Sequence, residues 1–182
     1  MAVTVNKEVM RTEWYFQTPV YSIMKTEWLK PAIKATDKFI AEAYKREAPK
    51  LKERKKILGN KDYLKVKDHG LSYHSTPLNG DPNLKELEQY IGATSWNLLD
   101  EWGYDMEKYS MFFTELWVQE FAKNGGGHHR VHIHENCHLS GFYFLQNEDS
   151  SYPLFHDPRP GKEMMALPQK DESVISPATR VV

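Results

Sequence analysis

Two histidines separated by one residue, His132 and His134, carry the clearest chemical signal in this sequence. Six of the eight histidines lie between residues 128 and 156. If this segment is a β-strand, the two imidazoles share one face, with Cβ atoms ~6.5–7 Å apart. Because a metal–nitrogen bond is ~2.1 Å long, both rings can reach a single ion. The spacing therefore predicts a two-histidine metal platform, and imidazole suits iron, zinc, copper or nickel.

The same spacing also fits a solvated strand face that holds no ion, so the neighbouring residues decide between the two interpretations. Other ligating side chains are close in the sequence or lie on the next predicted strand: His128, His129, Glu135, His138, His156 and Asp157. With them the metal interpretation is favoured. Two histidines and a carboxylate with open positions are the usual donor set of non-haem Fe(II) oxygenases. The spacing leaves the third ligand open among Asp157, His138, His156 and a residue beyond the chain end.

A regular strand also makes a prediction for the residues between the histidines. Val131 and Ile133 would point away from the imidazoles and into a hydrophobic layer. Glu135 would lie on the same face as Val131 and Ile133, away from the imidazoles, so it is not expected to ligate the ion.

Other chemistries are weaker. Cys137 is better explained as a buried inert thiol than as a nucleophile paired with a histidine. Three glycines at 125–127 lack the Lys-Ser/Thr ending of a phosphate-binding loop, so they predict a flexible turn. His69 and His74 are interpreted as ordinary loop histidines.

Two helices are expected in the first half of the chain. The first begins between Thr26 and Pro31, and Pro49 should end or kink it close to Ala48, because proline cannot continue the hydrogen-bond ladder. The second begins at Asp81 or Pro82 and ends at Gly103. The dense charge run at 45–56 is interpreted as a solvated helical face and turn.

Short strands are expected around these helices and in the second half of the chain. Aromatic and β-branched stretches predict strands at 14–24, 111–121, 128–139, 140–145 and 152–156. Helices followed by short strands predict an α+β domain with an antiparallel sandwich or barrel. We expect one domain over 1–182, with a helical part at about 26–103 and a β core at about 110–182.

Composition narrows the class of protein. The chain has 24 Lys and Arg against 25 Asp and Glu, a formal charge of −1, which argues against a basic protein that wraps a nucleic-acid duplex, and no clear nucleic-acid partner is expected. The single cysteine suits a reducing compartment. With no signal-like start and no apolar run of ~18 residues, a cytoplasmic protein without a membrane partner is expected.

Residues 117–159 resemble the 2-oxoglutarate- and Fe(II)-dependent oxygenases found in bacteria and their phages. That family carries a Trp-containing strand, a Gly-rich turn, a His-x-His-x-Asn-like segment, Ser-Gly-x-Tyr-Tyr/Phe-Leu and Phe-x-Asp-Pro-Arg. The matching positions are Trp117, Gly125, Gly126, Gly127, His132, His134, Asn136, Ser140, Gly141, Tyr143, Phe144, Leu145, Phe155, Asp157, Pro158 and Arg159. Residues 16–20 are similar to the family's opening strand.

The resemblance implies a double-stranded β-helix (jelly-roll, cupin-like) core with the N-terminal helices packed outside it. It implies Fe(II) held by His132 and His134, 2-oxoglutarate as co-substrate, and hydroxylation of an unknown substrate coupled to decarboxylation. The family's distal histidine and carboxylate-binding arginine lie on later strands. Residues 160–182 contain Arg180 and no histidine, so the jelly roll is expected to be incomplete at its C-terminus. An open strand edge favours association, which leaves a homo-oligomer open.

Two rival functions come from other classes. A cupin-type metal-binding protein is favoured by Gly126 followed, after five residues, by His132-x-His134, but His138 stands where cupins usually have glutamate. A non-catalytic jelly-roll interaction domain would keep the fold without a working site. Iron-dependent turnover of 2-oxoglutarate separates the oxygenase from both rivals.

Overall fold

The structure is a computed structural model that describes residues 13, 18–58, 71–122, 127–147, 152–159 and 179–181. Two α-helices and four three-residue β-strands make up its regular elements, and two short 3₁₀ turns accompany the second helix. The helices are α1 (Leu29–Leu58) and α2 (Lys85–Glu101). The strands are β1 (Ser72–His74), β2 (Gln119–Phe121), β3 (Leu154–His156) and β4 (Thr179–Val181).

Helix α1 provides the surface on which the described fold packs. One stripe of mostly small side chains is buried along it: Ala32, Ala35, Thr36, Ile40 and Ala43. These positions repeat at three- and four-residue intervals, so they share one face of the helix. The Thr36 hydroxyl does not disturb this face, because it donates to the carbonyl of Ala32 at 2.9 Å.

Pro49 does not end α1 near Ala48, because the helix continues through it to Leu58. Proline removes one amide donor and crowds the preceding turn, a cost of ~3 kcal/mol in a helix interior. The surrounding residues are mainly Lys, Glu, Arg, Ala and Leu, which are strong helix formers. Glu47 and Lys50 also form an ion pair at 2.8 Å across the proline. The helix preference of the surrounding residues, together with this ion pair, outweighs the helix-breaking effect of Pro49.

The predicted start and end of the second helix are confirmed. Asp81 caps a 3₁₀ turn (Pro82–Leu84) that leads directly into α2, and its carboxylate accepts from the Asn83 amide at 2.9 Å. At the other end Gly103 has a φ of 90°, a left-handed conformation that glycine adopts without a steric penalty.

Asp81 also joins the two helices, and this contact should make stability depend on pH. The ammonium of Lys38 on α1 lies 2.9 Å from the Asp81 carboxylate. The hydrogen bond from Lys38, followed by those from Asn83, lowers the pKa of Asp81 to about 2. In the unfolded chain an aspartate titrates near ~3.9.

The contribution of the ionised Asp81 to the free energy of unfolding is therefore present above about pH 4, and it is lost as the pH falls through about 2. We expect the stability difference between the wild type and Asp81→Asn, measured by urea unfolding, to shrink over that interval. Lys38→Met should remove most of the pH dependence while keeping the cap. A difference between wild type and Asp81→Asn that stays constant from pH 6 to pH 2 would contradict this assignment.

A small antiparallel sheet formed by β1 and β2 lies against α1. Its register places Ser72 opposite Phe121 and His74 opposite Gln119. A backbone hydrogen bond from Ser75 to Val118 at 2.9 Å continues the pairing beyond β1. The sheet therefore brings together two segments that are more than forty residues apart in the sequence.

Residues 140–145 pack as an alternating segment without forming a strand. Tyr143 and Leu145 lie against the buried cluster of Ala32, Ala35, Leu78 and Leu84, whereas Phe142 and Phe144 are exposed. The Tyr143 hydroxyl donates to the Lys25 carbonyl at 2.5 Å. Burial, and then the charge of Glu27, raises the pKa of this phenol.

The predicted strands are shorter in the structure. Of the stretch 111–121 only Gln119–Phe121 is a strand, and of 152–156 only Leu154–His156, which pairs antiparallel with Thr179–Val181. Residues 18–24 have no regular structure, and 14–17 lie outside the described residues. The described residues form two two-stranded sheets. The jelly roll stays a prediction, since residues 160–178 are not among them.

No helix within the described ranges has the length and apolar character needed to cross a membrane.

Candidate metal centre

The β1–β2 sheet presents two different faces. Tyr73 and Glu120 are opposite each other in the register and face α1. There the Tyr44 ring contacts that of Tyr73, with centroids 3.9 Å apart and planes tilted by 30°. The Tyr44 hydroxyl donates to the Glu120 carboxylate at 2.6 Å. Because side chains alternate along a strand, His74 projects from the other face of the sheet. Trp117 shares that face, since it lies two residues before Gln119, the register partner of His74.

Gly127 holds the histidine segment next to this sheet. A Cβ atom at this position would lie 2.7 Å from the Leu71 carbonyl oxygen and 2.9 Å from Cβ of Phe121. Only a residue without a side chain fits this approach. Gly127 therefore places the start of the histidine segment directly against one end of the β1–β2 sheet.

The rings of His132 and His134 converge. Their Nε2 atoms are 3.3 Å apart, and their ring centroids are 5.0 Å apart at an interplanar angle of 68°. With metal–nitrogen bonds of ~2.1 Å, this separation subtends an angle of about 105° at a shared ion. Tetrahedral and octahedral sites require about 109° and about 90°, so the pair suits either geometry.

A backbone hydrogen bond sets the proton position on His132. Its Nδ1 lies 2.7 Å from the Arg130 carbonyl oxygen. A carbonyl can only accept, so the neutral ring carries its proton on Nδ1 and has a lone pair on Nε2. This is the arrangement that usually orients a metal-binding histidine. In the metal-free chain the Nε2 proton of His134 can donate to that lone pair.

Trp117 connects the histidine pair to the sheet. Its indole stacks on His134 with centroids 5.7 Å apart and planes 26° apart. It also stacks on His74 at 5.2 Å and 21°. The backbone of His74 is fixed in turn, because the guanidinium of Arg46 on α1 donates to its carbonyl oxygen. The His74 ring lies 2.8 Å through Nδ1 from the Ser75 carbonyl oxygen.

His129 completes the histidine cluster, which we define as His74, His129, His132 and His134. Its ring centroid lies 4.2 Å from that of His132. Partial burial, followed by the charges of the other three histidines, lowers the pKa of His129. Its surroundings therefore favour the neutral form of the His129 imidazole, which is the form that binds a metal ion.

The expectation of a regular strand through the pair is wrong. Residues 131–134 form no β-ladder, and a turn follows at Glu135 and Asn136, where Asn136 has a φ of 59°. Val131 and Ile133, predicted to enter a hydrophobic layer, are each 77% exposed. Among the described residues no strand pairs with this segment to hold the alternation of Val131 and Ile133 against a core. The imidazoles converge through their contact with each other and the contact of His134 with Trp117.

The candidates for the third ligand are engaged elsewhere. Asp157 accepts hydrogen bonds from the Arg159 guanidinium at 2.7 and 2.8 Å. The His138 ring lies edge-on to Tyr104 at 6.0 Å, and His156 lies on β3. Within the described segments, no three histidine, cysteine or acidic side chains are arranged to hold one ion. The pair thus supplies two donors, and the third ligand remains open.

Cys137 follows the histidine pair in the chain. It is half-buried, and its thiol lies 3.5 Å from the carbonyl oxygen of His134. The structure places it beside the backbone of the histidine pair.

Sequence reasoning missed the contribution of His74. It was interpreted as a loop residue, yet it lies on β1 and stacks on Trp117. The available signal was the alternation Ser72-Tyr73-His74, which puts a tyrosine on one face and a histidine on the other. Using it would have required knowing that this stretch pairs with residues 119–121. His69 lies outside the described residues.

No protein-family model, curated protein or solved structure matches this chain, so its functional assignment depends on these residues and their geometry.

Proposed function

We propose that this protein is an Fe(II)- and 2-oxoglutarate-dependent oxygenase whose metal is held by His132 and His134. The observation that carries the proposal is the 3.3 Å separation of their Nε2 atoms. Two imidazoles that converge and are both exposed form an open half-site, as a centre that must also bind a co-substrate and oxygen requires. The sequence resemblance of residues 117–159 supplies the reaction class.

The two nitrogen donors fit the first two ligand positions of such a centre. The Nδ1 hydrogen bond from His132 to Arg130 provides the outer-shell support that metal-binding histidines commonly have. When bound, the iron would supply oxygen activation, and 2-oxoglutarate would supply two electrons as it is decarboxylated to succinate. This chain's own residues hold and orient the donors.

Exposure of the pair bears on which ligands complete the site. His132 and His134 are both exposed, so an ion held by them alone would keep several water ligands. Besides His134, His129 is in ring contact with His132, and it joins Asp157, His138 and His156 as a candidate for the third ligand. Iron content of His129→Ala, His138→Ala, His156→Ala and Asp157→Asn would identify the third ligand.

Iron-dependent turnover tests the proposed function. Protein purified without oxygen and loaded with Fe(II) should convert 2-oxoglutarate and O₂ to succinate and CO₂ even before the target substrate is known, provided that added ascorbate supplies the two electrons and two protons that reduce the second oxygen atom to water. A chelator should abolish succinate formation, and added Fe(II) should restore it. Mass spectrometry of succinate measures the product directly.

Two results would replace the proposal. Tight metal binding at His132 and His134 without succinate formation would favour the cupin-type metal-binding protein. Absence of metal binding would favour the non-catalytic interaction domain. Either outcome requires that the protein be folded, which the far-UV circular dichroism of α1 and α2 can establish.

A further inference from the structure

The two proposed ligands are oriented in different ways. The ring of His132 is held by its hydrogen bond to the Arg130 carbonyl. In the described part of the chain, the ring contacts of His134 are limited to His132 and Trp117. A histidine ligand without a backbone acceptor needs another source of orientation, because its ring otherwise rotates freely about two side-chain torsions.

The indole of Trp117 supplies a flat surface for this purpose. Its plane lies within 26° of the His134 plane at a centroid distance of 5.7 Å. Stacking restricts the rotation of the imidazole about χ2 while leaving its edge, with both nitrogen atoms, accessible to an ion. Trp117 is itself half-buried and belongs to the backbone-paired segment next to β2.

His74 supports the other contact of the indole. It stacks on Trp117 at 5.2 Å from the diagonal position of the paired strand. Cross-strand neighbours at this diagonal are within reach of aromatic rings. The His74 ring is held in turn by the Ser75 carbonyl, and its backbone is held by Arg46 on α1. The orientation of His134 is thus connected through two rings to the core of the fold.

We propose that Trp117 is a positioning residue for the metal centre, which orients His134 by stacking, and that His74 supports Trp117. This inference rests on the proposed function, because it assumes that His134 ligates the ion. It assigns a role to two residues that touch neither iron nor co-substrate. It also predicts that the planar ring, rather than the bulk, is what position 117 requires.

Binding of Co(II) to the full chain tests this role, with calorimetry for affinity and the visible absorption of bound Co(II) for ligand geometry. Trp117→Met keeps much of the bulk but removes the plane, and we expect ~10–100-fold weaker binding, as for loss of other outer-shell partners. The Co(II) spectrum should shift as well. Trp117→Phe should keep most of the affinity and the wild-type spectrum. His74→Leu should weaken binding less than Trp117→Met does.

Trp102→Leu is the matched control, since the Trp102 ring lies tilted against Tyr21 at 6.1 Å and is not part of the cluster. It should bind Co(II) like the wild type. If the wild type binds Co(II) and Trp117→Met binds with the same affinity and spectrum, the positioning role is overturned and the proposed centre stands. If the wild type itself does not bind Co(II), the proposed centre fails. If Trp117→Met does not fold, the test depends on His74→Leu. An unchanged Co(II) affinity and spectrum in that variant would overturn the proposed support of Trp117 by His74.

Discussion

Replacing His132 or His134 by alanine is expected to reduce the affinity for Fe(II), or for Co(II) as its substitute, by more than ~100-fold. Losing an outer-shell partner already costs ~10–100-fold, and here a direct donor is removed. Each single variant breaks the converging pair and leaves one of its imidazoles, which cannot chelate without the other, so both variants should lose most of their metal. Metal content after anaerobic loading and desalting measures this loss.

Ile133→Ala is the matched control for this experiment. It lies between the two histidines and is 77% exposed, so its truncation removes little packing and no donor. Its metal content should equal that of the wild type. Equal iron content in the wild type, His132→Ala and His134→Ala would end the assignment of these residues as ligands. Loss of iron in Ile133→Ala as well would mean that the backbone of the segment, not its imidazoles, determines binding.

The second helix shows what local sequence can predict. Its start follows from Asp81 as a side-chain acceptor and Pro82 as a residue that needs no amide partner, and its end follows from Gly103. All these determinants act within a few residues of the boundary. The first helix shows the limit of such reasoning, because Pro49 is a strong local signal that the helix-forming residues on both sides overcome.

The convergence of His132 and His134 was expected from their spacing, but the physical cause in the structure is different. The prediction relied on strand alternation, which requires a partner strand to hold it. The structure instead has a segment without a ladder, in which Val131 and Ile133 are exposed. Contacts with Trp117, and the carbonyl of Arg130, determine where the rings point.

The contribution of the β1–β2 sheet could not be read from the sequence around the histidines. His74 and Trp117 are 43 positions apart and meet only because Ser72–His74 pairs with Gln119–Phe121. Three-residue strands carry too little pattern to specify a partner. The jelly-roll prediction depends on pairings of the same long-range kind, and it stays a prediction.

Gly127→Ala is expected to lower stability and to weaken metal binding in the same variant. The new Cβ would lie 2.7 Å from the Leu71 oxygen and 3.1 Å from the Ala122 nitrogen, both backbone atoms, and 2.9 Å from Cβ of Phe121. These two backbone atoms also bond to each other at 3.0 Å, so neither can move without opening the end of the sheet. We expect a loss of about 1–3 kcal/mol in the free energy of unfolding, as for other overpacked sites.

Gly141→Ala separates this steric effect from the general consequence of replacing a glycine. A Cβ at position 141 would meet nothing within 4 Å, so its urea-unfolding curve should match that of the wild type. Because Gly127 comes directly before the histidine segment, relief of its clash should move that segment away from Trp117 and reduce Co(II) affinity, which Gly141→Ala should leave intact. If Gly127→Ala has wild-type stability, the backbone at the end of the β1–β2 sheet can shift to accommodate the new Cβ at little energetic cost. Lost stability with wild-type Co(II) affinity would show that the histidine pair keeps its geometry without the sheet beside it.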